Sequence, residues 1–400
     1  MSEGPGDAAA EPRGSEELDV ETSDLLEGVL AGEHRALART ITRIEERAPG
    51  YRDLVGALHA HTGNASVLGV TGSPGTGKST LVDKLALACR ERGETVGVIA
   101  VDPASPFTGG AVLGDRIRMG STVGDMDVFV RSMSARGTLG GLSAATADAV
   151  RALDAFGKDR IIVETVGAGQ NEIDVVRAAD TVAVLLQPGA GDDVQMLKAG
   201  ILEIADCFVV NKADLEGADR TVQELTEMLQ LERDVEPILR TGHHGAEAAT
   251  DDRRAASDSR RDDESDAPGD DRDASTDDPD ASADDTADHP ADDTAGWRPP
   301  VVETVATRGE GVEAVLDAVE DHLAYLDRSG AGAERARDRY AEEVRTLLRA
   351  DLGAIVESEI EDRGGLEELA EAIRTRETDP YTVAADLLAP LTGGDRPGEE

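Results

Sequence analysis

Cysteine, aromatic residues and lysine are all scarce in this chain of 400 residues, and each scarcity excludes something. The two cysteines, Cys89 and Cys207, lie in apolar stretches without a metal-ligand spacing. They exclude a disulfide framework and are expected as reduced thiols in a hydrophobic core. Four Phe, four Tyr and the single Trp297 leave that core to Val, Leu, Ile and Ala. No apolar run approaches the ~20 residues that span a bilayer. The acidic start MSEGPGDAAAEPRGSEELDVETSD lacks the apolar centre of a signal peptide. A cytoplasmic protein is expected.

Lysine occurs only at Lys78, Lys84, Lys158, Lys198 and Lys212, so 35 of the 40 basic residues are arginine. Against them stand 83 acidic residues and a net charge of −43. A surface this acidic is repelled by phosphate backbones and anionic membranes, which argues against nucleic acid and lipid headgroups as primary partners. An acidic, lysine-poor composition suits a concentrated cytoplasm, because the Debye length falls to ~3 Å at molar salt and carboxylate repulsion is screened.

Residues 1–16 read as disordered. Helical spacing follows: Leu25, Leu26, Val29 and Leu30, then Leu37, Ile41 and Ile44, then Leu54 and Leu58. Residues 1–64 are thus expected to hold a disordered start and a helical unit. From Val67 short β-branched runs alternate with amphipathic stretches. The runs are Val67–Thr71, Thr95–Val101, Val128–Ser132, Arg160–Glu164, Thr181–Leu186, Cys207–Asn211 and Val301–Val305. Such alternation predicts an α/β domain over residues 65–328, a doubly wound and mostly parallel sheet covered on both faces. Residues 241–296 contain no Val, Leu, Ile, Met, Phe, Tyr or Trp and carry a net −14. With nothing to bury against the entropy of ordering, a disordered insertion is expected across 240–297. Helical patterns at 312–326, 334–375 and 380–389 close the chain, and 329–400 reads as a C-terminal helical region.

The strongest motif is Gly72-Ser73-Pro74-Gly75-Thr76-Gly77-Lys78-Ser79, which fits G-x-x-x-x-G-K-[ST] between an apolar run and a helical stretch that starts Ser79-Thr80. Its glycines let backbone N–H groups wrap phosphate oxygens, and the helix dipole adds to that attraction. Lys78 is expected to reach the β- and γ-phosphates, and Ser79 to offer a hydroxyl to Mg²⁺. The second motif, Asn211-Lys212-Ala213-Asp214, follows the apolar run DCFVV and fits N-K-x-D. A carboxylate at Asp214 is satisfied by guanine N1 and N2, whereas adenine offers no such donor pair. Ala306, after the final strand, is expected to present its N–H to the base. Asp102 and Glu164 end two strands, and Asp115 lies in the loop between Asp102 and Gly120. Carboxylates at that edge of a doubly wound sheet are expected to hold Mg²⁺ or its waters.

The runs VTGSPGTGKSTLVDKL, VDPASPFTGGAVLGDRIRM, RGTLGGL, IIVETVGAGQNEIDV, QPGAGDDVQMLKAGILEIAD and VNKADL resemble the MeaB/ArgK family of P-loop GTPases over roughly residues 33–235 and 297–390. The resemblance implies a Mg²⁺-dependent GTPase that takes GTP to GDP, gates adenosylcobalamin loading and protects methylmalonyl-CoA mutase or a related acyl-CoA mutase. Lys78 and Ser79 match its phosphate and metal positions, and Asp102, Asp115 and Glu164 match acidic residues of its metal and switch region. Residues 188–200, with Asp192, Asp193, Gln195 and Lys198, match a switch segment through which family members signal to the mutase. The resemblance also implies a homodimer built on the C-terminal helices. Where small GTPases carry Asp in D-x-x-G, this chain has Glu164-Thr165-Val166-Gly167, and Gln170 is too far along to equate with their catalytic glutamine. The alternatives are a metallochaperone GTPase for nickel enzymes, which would need a metal cluster around pairs such as His59/His61 or His243/His244, a kinase or transport ATPase, and a nucleotide-binding module without catalysis. The chain carries no D-x-H-x-x-G cobalamin pattern, so that cofactor is expected on the partner.

Overall fold

A computed structural model describes residues 18–102, 120–122, 124–134, 141–165, 178–189, 204–240 and 296–390. The expected disorder at 1–16 and nearly all of the acidic insertion lie outside the described residues. The chain divides into two compact units, one made of residues 1–225 and 297–400 and the other of 226–296.

Seven parallel strands form one sheet: β1 (Ser66–Gly72), β2 (Val96–Asp102), β3 (Val128–Ser134), β4 (Arg160–Thr165), β5 (Thr181–Leu186), β6 (Cys207–Asn211) and β7 (Val301–Thr304). Every run expected to be a strand is one, to within two residues. The spatial order β3-β2-β4-β1-β5-β6-β7 puts β1 at the centre, with β4 on one side and β5 on the other. The chain crosses β1 between β4 and β5, so the carboxyl end of β1 is where the winding reverses. Ligands bind at that point in open α/β sheets.

The pleat divides the strand residues between two cores. Leu68 and Val70 of β1, Val96 and Val98 of β2 and Ile162 of β4 pack on one face with α4 (Lys78–Glu91) and α7 (Val312–Ser329), where Leu81, Leu85, Val315 and Val319 are buried. Val67, Ile99, Val101, Ile161 and Val163 pack on the other. That face is covered by α5 (Gly141–Ala155) and by the N-terminal helices α1 (Val20–Leu30), α2 (His34–Glu45) and α3 (Tyr51–His59). Leu25, Val29, Leu37, Ile41, Ile44, Leu54 and Leu58 are all buried there, so the residues that set the period of α2 and α3 are the ones that pack, while in α1 Leu26 is half-buried and Leu30 is exposed. The helical unit thus forms one layer of the α/β domain.

Helix α6 (Ala218–Arg240) follows β6. On re-entry the indole of Trp297 donates from Nε1 to the carbonyl of Asp206, 2.7 Å away, and its ring lies 4.8 Å from His322 of α7. The C-terminal region consists of α8 (Ala331–Asp362), α9 (Leu366–Thr375) and α10 (Pro380–Leu388). No side chain of the 32-residue α8 is buried. Ion pairs fasten it: Arg335 to Asp206, Arg339 to Asp180, Arg151 of α5 to Glu343, and Arg52 of α3 to Asp351. Cys89 and Cys207 are buried free thiols, each pushed up to about 12 by burial, which leaves them protonated and unreactive near neutral pH.

Candidate nucleotide site

The loop between β1 and α4 is shaped by close approaches that only glycine allows. Gly72 has φ +137°, and a Cβ there would collide with the carbonyl oxygen of Leu185 in β5. Gly77, at φ +98°, caps the start of α4, and a Cβ there would strike the Asn211 amide. The loop is therefore clamped between the ends of β5 and β6. Thr76 is fully buried, and its hydroxyl donates to the Ser73 carbonyl at 2.9 Å, while Pro74 and Gly75 stay exposed at the rim.

Lys78 is buried, and its ammonium donates to the carbonyls of Gly72 at 2.6 Å and Ser73 at 2.9 Å. The ammonium is thereby held at the mouth of the loop. One residue on, Ser79 Oγ donates to Glu164 Oε1 at 2.5 Å. Glu164 is itself buried in β4, in register with Val70 of β1 and Ala100 of β2. Next to it, Thr165 Oγ1 donates to Thr71 Oγ1 at 3.0 Å and ties β4 to β1 beneath the loop. The hydroxyl–carboxylate pair expected from sequence is thus assembled. A hydroxyl and a carboxylate are hard oxygen donors, and with phosphate oxygens and waters they fit Mg²⁺. Among the described residues no group of three or more His, Cys, Asp and Glu side chains is placed to hold a metal ion alone. Asp102 ends β2 beside the end of β4, with Val101 in register with Thr165, so its backbone is at the expected edge. Its side chain lies outside the described residues, as do Asp115, Val166, Gly167, Gln170, Asp192, Asp193, Gln195 and Lys198.

The second motif closes the site from β6. Asn211 is buried, with its Nδ2 donating to the Thr76 carbonyl at 2.7 Å. Its Oδ1 accepts from Thr304 Oγ1 and from the Ala306 N–H, each at 3.1 Å. One amide therefore fastens the phosphate loop to the turn after β7. The last of these bonds places the Ala306 N–H, expected at the base, against Asn211, the residue that opens the same motif. The asparagine's acceptor is buried and must be satisfied, and Ala306 is the backbone donor within its reach. Lys212 donates from Nζ to the Gly75 carbonyl and to Gln187 Oε1, both at 2.7 Å. Asp214 is exposed and lies 3.3 Å from Arg308.

Gln187, Arg308, Thr71 and Thr165 have no role in the motif reading. Gln187 had a findable signal, since it follows a central strand at the edge where Asp102 and Glu164 were singled out. Arg308 gave none, because its partner Asp214 is 94 residues away in sequence. Of the histidines read as alternatives, His59 packs edge-on against Tyr340 at 5.6 Å, and His243 and His244 lie outside the described residues.

A parallel sheet whose central strand runs into a glycine-clamped loop, with lysine, serine and carboxylate converging there and N-K-x-D fastened to the same loop, defines a P-loop nucleotide-binding protein. The family model described as methylmalonyl Co-A mutase-associated GTPase MeaB matches residues 37–361, and the chain belongs to that family of GTPases. A relative from Pyrococcus abyssi is 43% identical over 371 residues, covering 93% of this chain and 97% of its own. The mouse methylmalonic aciduria type A homolog, mitochondrial, is 35% identical over 204 residues, 48% of this chain and 49% of its own. In fold, the chain is similar to the crystal structure titled LAO/AO transport system kinase, with a TM-score of 0.57 at 21% identity, covering 94% of this chain and 98% of that one.

Proposed function

We propose that this protein is a Mg²⁺-dependent, guanine-specific GTPase that gates adenosylcobalamin loading onto methylmalonyl-CoA mutase or a related acyl-CoA mutase and protects that enzyme. The observation that carries the catalytic part is the convergence of Lys78, Ser79, Glu164 and Asn211 on one loop. The family match and the mouse relative support the mutase as partner. Cobalamin belongs on the partner in this reading.

Hydrolysis of GTP to GDP and phosphate rests on position and charge. Backbone N–H groups of Gly75, Thr76 and Gly77 cradle the phosphates, with the positive end of α4 behind them. Lys78 turns its ammonium from the loop carbonyls to the β- and γ-phosphate oxygens and offsets charge that grows as the bond to the leaving group lengthens. Ser79 and Glu164, with Asp102 and Asp115, are the residues that would hold Mg²⁺. When bound, the ion neutralises phosphate charge and fixes its oxygens. Asp214 accepts from guanine N1 and N2, and Lys212 lies along the base.

The C-terminal helices support a homodimer. Val344, Leu348, Leu352 and Ile355 of α8 are roughly half exposed, and Leu366, Tyr381 and Leu388 extend the apolar surface over α9 and α10. Residues 188–200, with Lys198, are the segment proposed to signal to the mutase. The composition supports a cytoplasm rich in salt, and no helix of the described residues is long and apolar enough to cross a membrane. Displacement of a fluorescent GDP analogue tests the base assignment. GTP should compete at least 100-fold better than ATP, given the buried-polar mismatch that adenine leaves. Equal competition would overturn guanine specificity.

A further inference from the structure

The guanine end of the site contains one residue that neither motif includes. Gln187 directly follows β5, whose six residues are all buried and which is paired to β1 on one side and β6 on the other. Its backbone therefore starts from a fixed point. From there its side-chain oxygen accepts from the Lys212 ammonium at 2.7 Å, while the same ammonium donates at 2.7 Å to the Gly75 carbonyl in the phosphate loop.

Lys212 is unusual at its root as well as its tip. Its φ is +62°, the left-handed region that a non-glycine residue rarely adopts. Such a conformation persists where surrounding contacts over-determine it. Here the root is fixed by β6, and by the buried Asn211 one residue before. The tip is fixed by acceptors on two other elements. With Gly75 alone the ammonium could pivot about a single bond at an exposed rim. With Gln187 it is held at two points.

We propose that Gln187 is a positioning residue for guanine nucleotide binding, fixing the Lys212 ammonium so that the lysine stem forms one wall for the base. This rests on the GTPase reading above. Its effect falls on binding of GTP and GDP alike, since both present the same base.

The test measures GTP turnover and the affinity of a fluorescent GDP analogue in the full chain. The variants are Gln187→Met, which keeps the shape and removes the acceptor, Gln187→Glu, which restores an acceptor, Lys212→Ala, and the double variant Gln187→Met/Lys212→Ala. Gln187→Met should raise KM for GTP and Kd for GDP about tenfold, the loss of one charge-assisted hydrogen bond, with the change in KM and not in kcat. Gln187→Glu should stay within about threefold of wild type, and Gln187→Met should add nothing in the Lys212→Ala background. Gln187→Ala, read in the same way, covers the case in which the methionine variant does not fold. Unchanged KM and Kd in the single variant, or an effect that adds in full to that of Lys212→Ala, overturns the proposal. A wild-type chain that binds no guanine nucleotide overturns the GTPase reading itself. Normal wild-type turnover with a silent Gln187 variant overturns only the role given to Gln187.

Discussion

Asn211 shows how much a single side chain can organise. Its amide donates to the loop after β1 and accepts from the turn after β7, so one side chain fastens the two together. The N-K-x-D letters singled out Asn211, Lys212 and Asp214, and the first two do meet the loop after β1. They left Gln187 and Arg308 unread, because a side chain that only orients another is free to be many things. For Ala306, position after a strand says where the N–H is, and the buried Asn211 acceptor sets where it points here. Two predictions belong here. Lys78→Ala should lower GTP turnover by about two to three orders of magnitude, as loss of a preorganised charge at a transferring group does. Turnover near wild type in a phosphate-release assay would refute the role of Lys78. Asp214→Asn should exchange guanine for xanthine, since its amide N–H can donate to the added oxygen at C2 that replaces the guanine amino group. Competition with XTP and GTP against labelled GDP reads the switch, and unchanged preference would place base recognition elsewhere.

At the scale of elements, strand and helix periods were legible because they are set by burial alone. β1, β4, β5 and β6 are buried on both faces and read as short apolar runs with polar residues at their ends, while α2 and α3 bury the residues that set their period. How α8 is fastened was not legible. Its ion pairs join residues as far apart as Arg52 and Asp351, and a charged residue in a sequence carries no mark of its partner. Nor did the sequence reveal the polar knot at the foot of β5 and β6. There the fully buried His322 has Nδ1 2.8 Å from Thr181 Oγ1 and Nε2 3.2 Å from Asp206, under the Trp297 ring. Burial holds the His322 pKa below its usual value, the opposing pull of Asp206 notwithstanding, and Arg335 adds to the depression. The unfolded chain therefore binds a proton at a pH where the native chain does not. The His322 contribution to stability is complete above the unfolded value near 6.5 and is lost as pH falls below it. Asp148, raised to about 6 by burial, works in the opposite sense, gaining native protonation as pH falls. Thermal unfolding of wild type and His322→Gln between pH 7.5 and 5 separates the two. The wild-type Tm should fall more steeply than that of the variant, and parallel profiles would show that His322 is not titrating across folding.

For the whole molecule, the net charge of −43 and the C-terminal helices set the terms. Carboxylate self-repulsion is screened as the Debye length falls to ~3 Å at molar salt, so Tm should rise as KCl is raised from 0.1 to 2 M. A Tm that falls would mean that ion pairs such as those along α8 outweigh the repulsion. The apolar surface of α8 to α10 should place the protein at dimer mass in sedimentation, and Leu348→Lys with Ile355→Lys should yield monomers that still bind GDP. The central claim is tested most directly by one comparison. GTP hydrolysis by the full chain is measured at high KCl with Mg²⁺, alone and with saturating adenosylcobalamin-dependent methylmalonyl-CoA mutase. Slow intrinsic turnover that rises at least tenfold with the mutase is the predicted result. A rate unchanged by saturating mutase would contradict it.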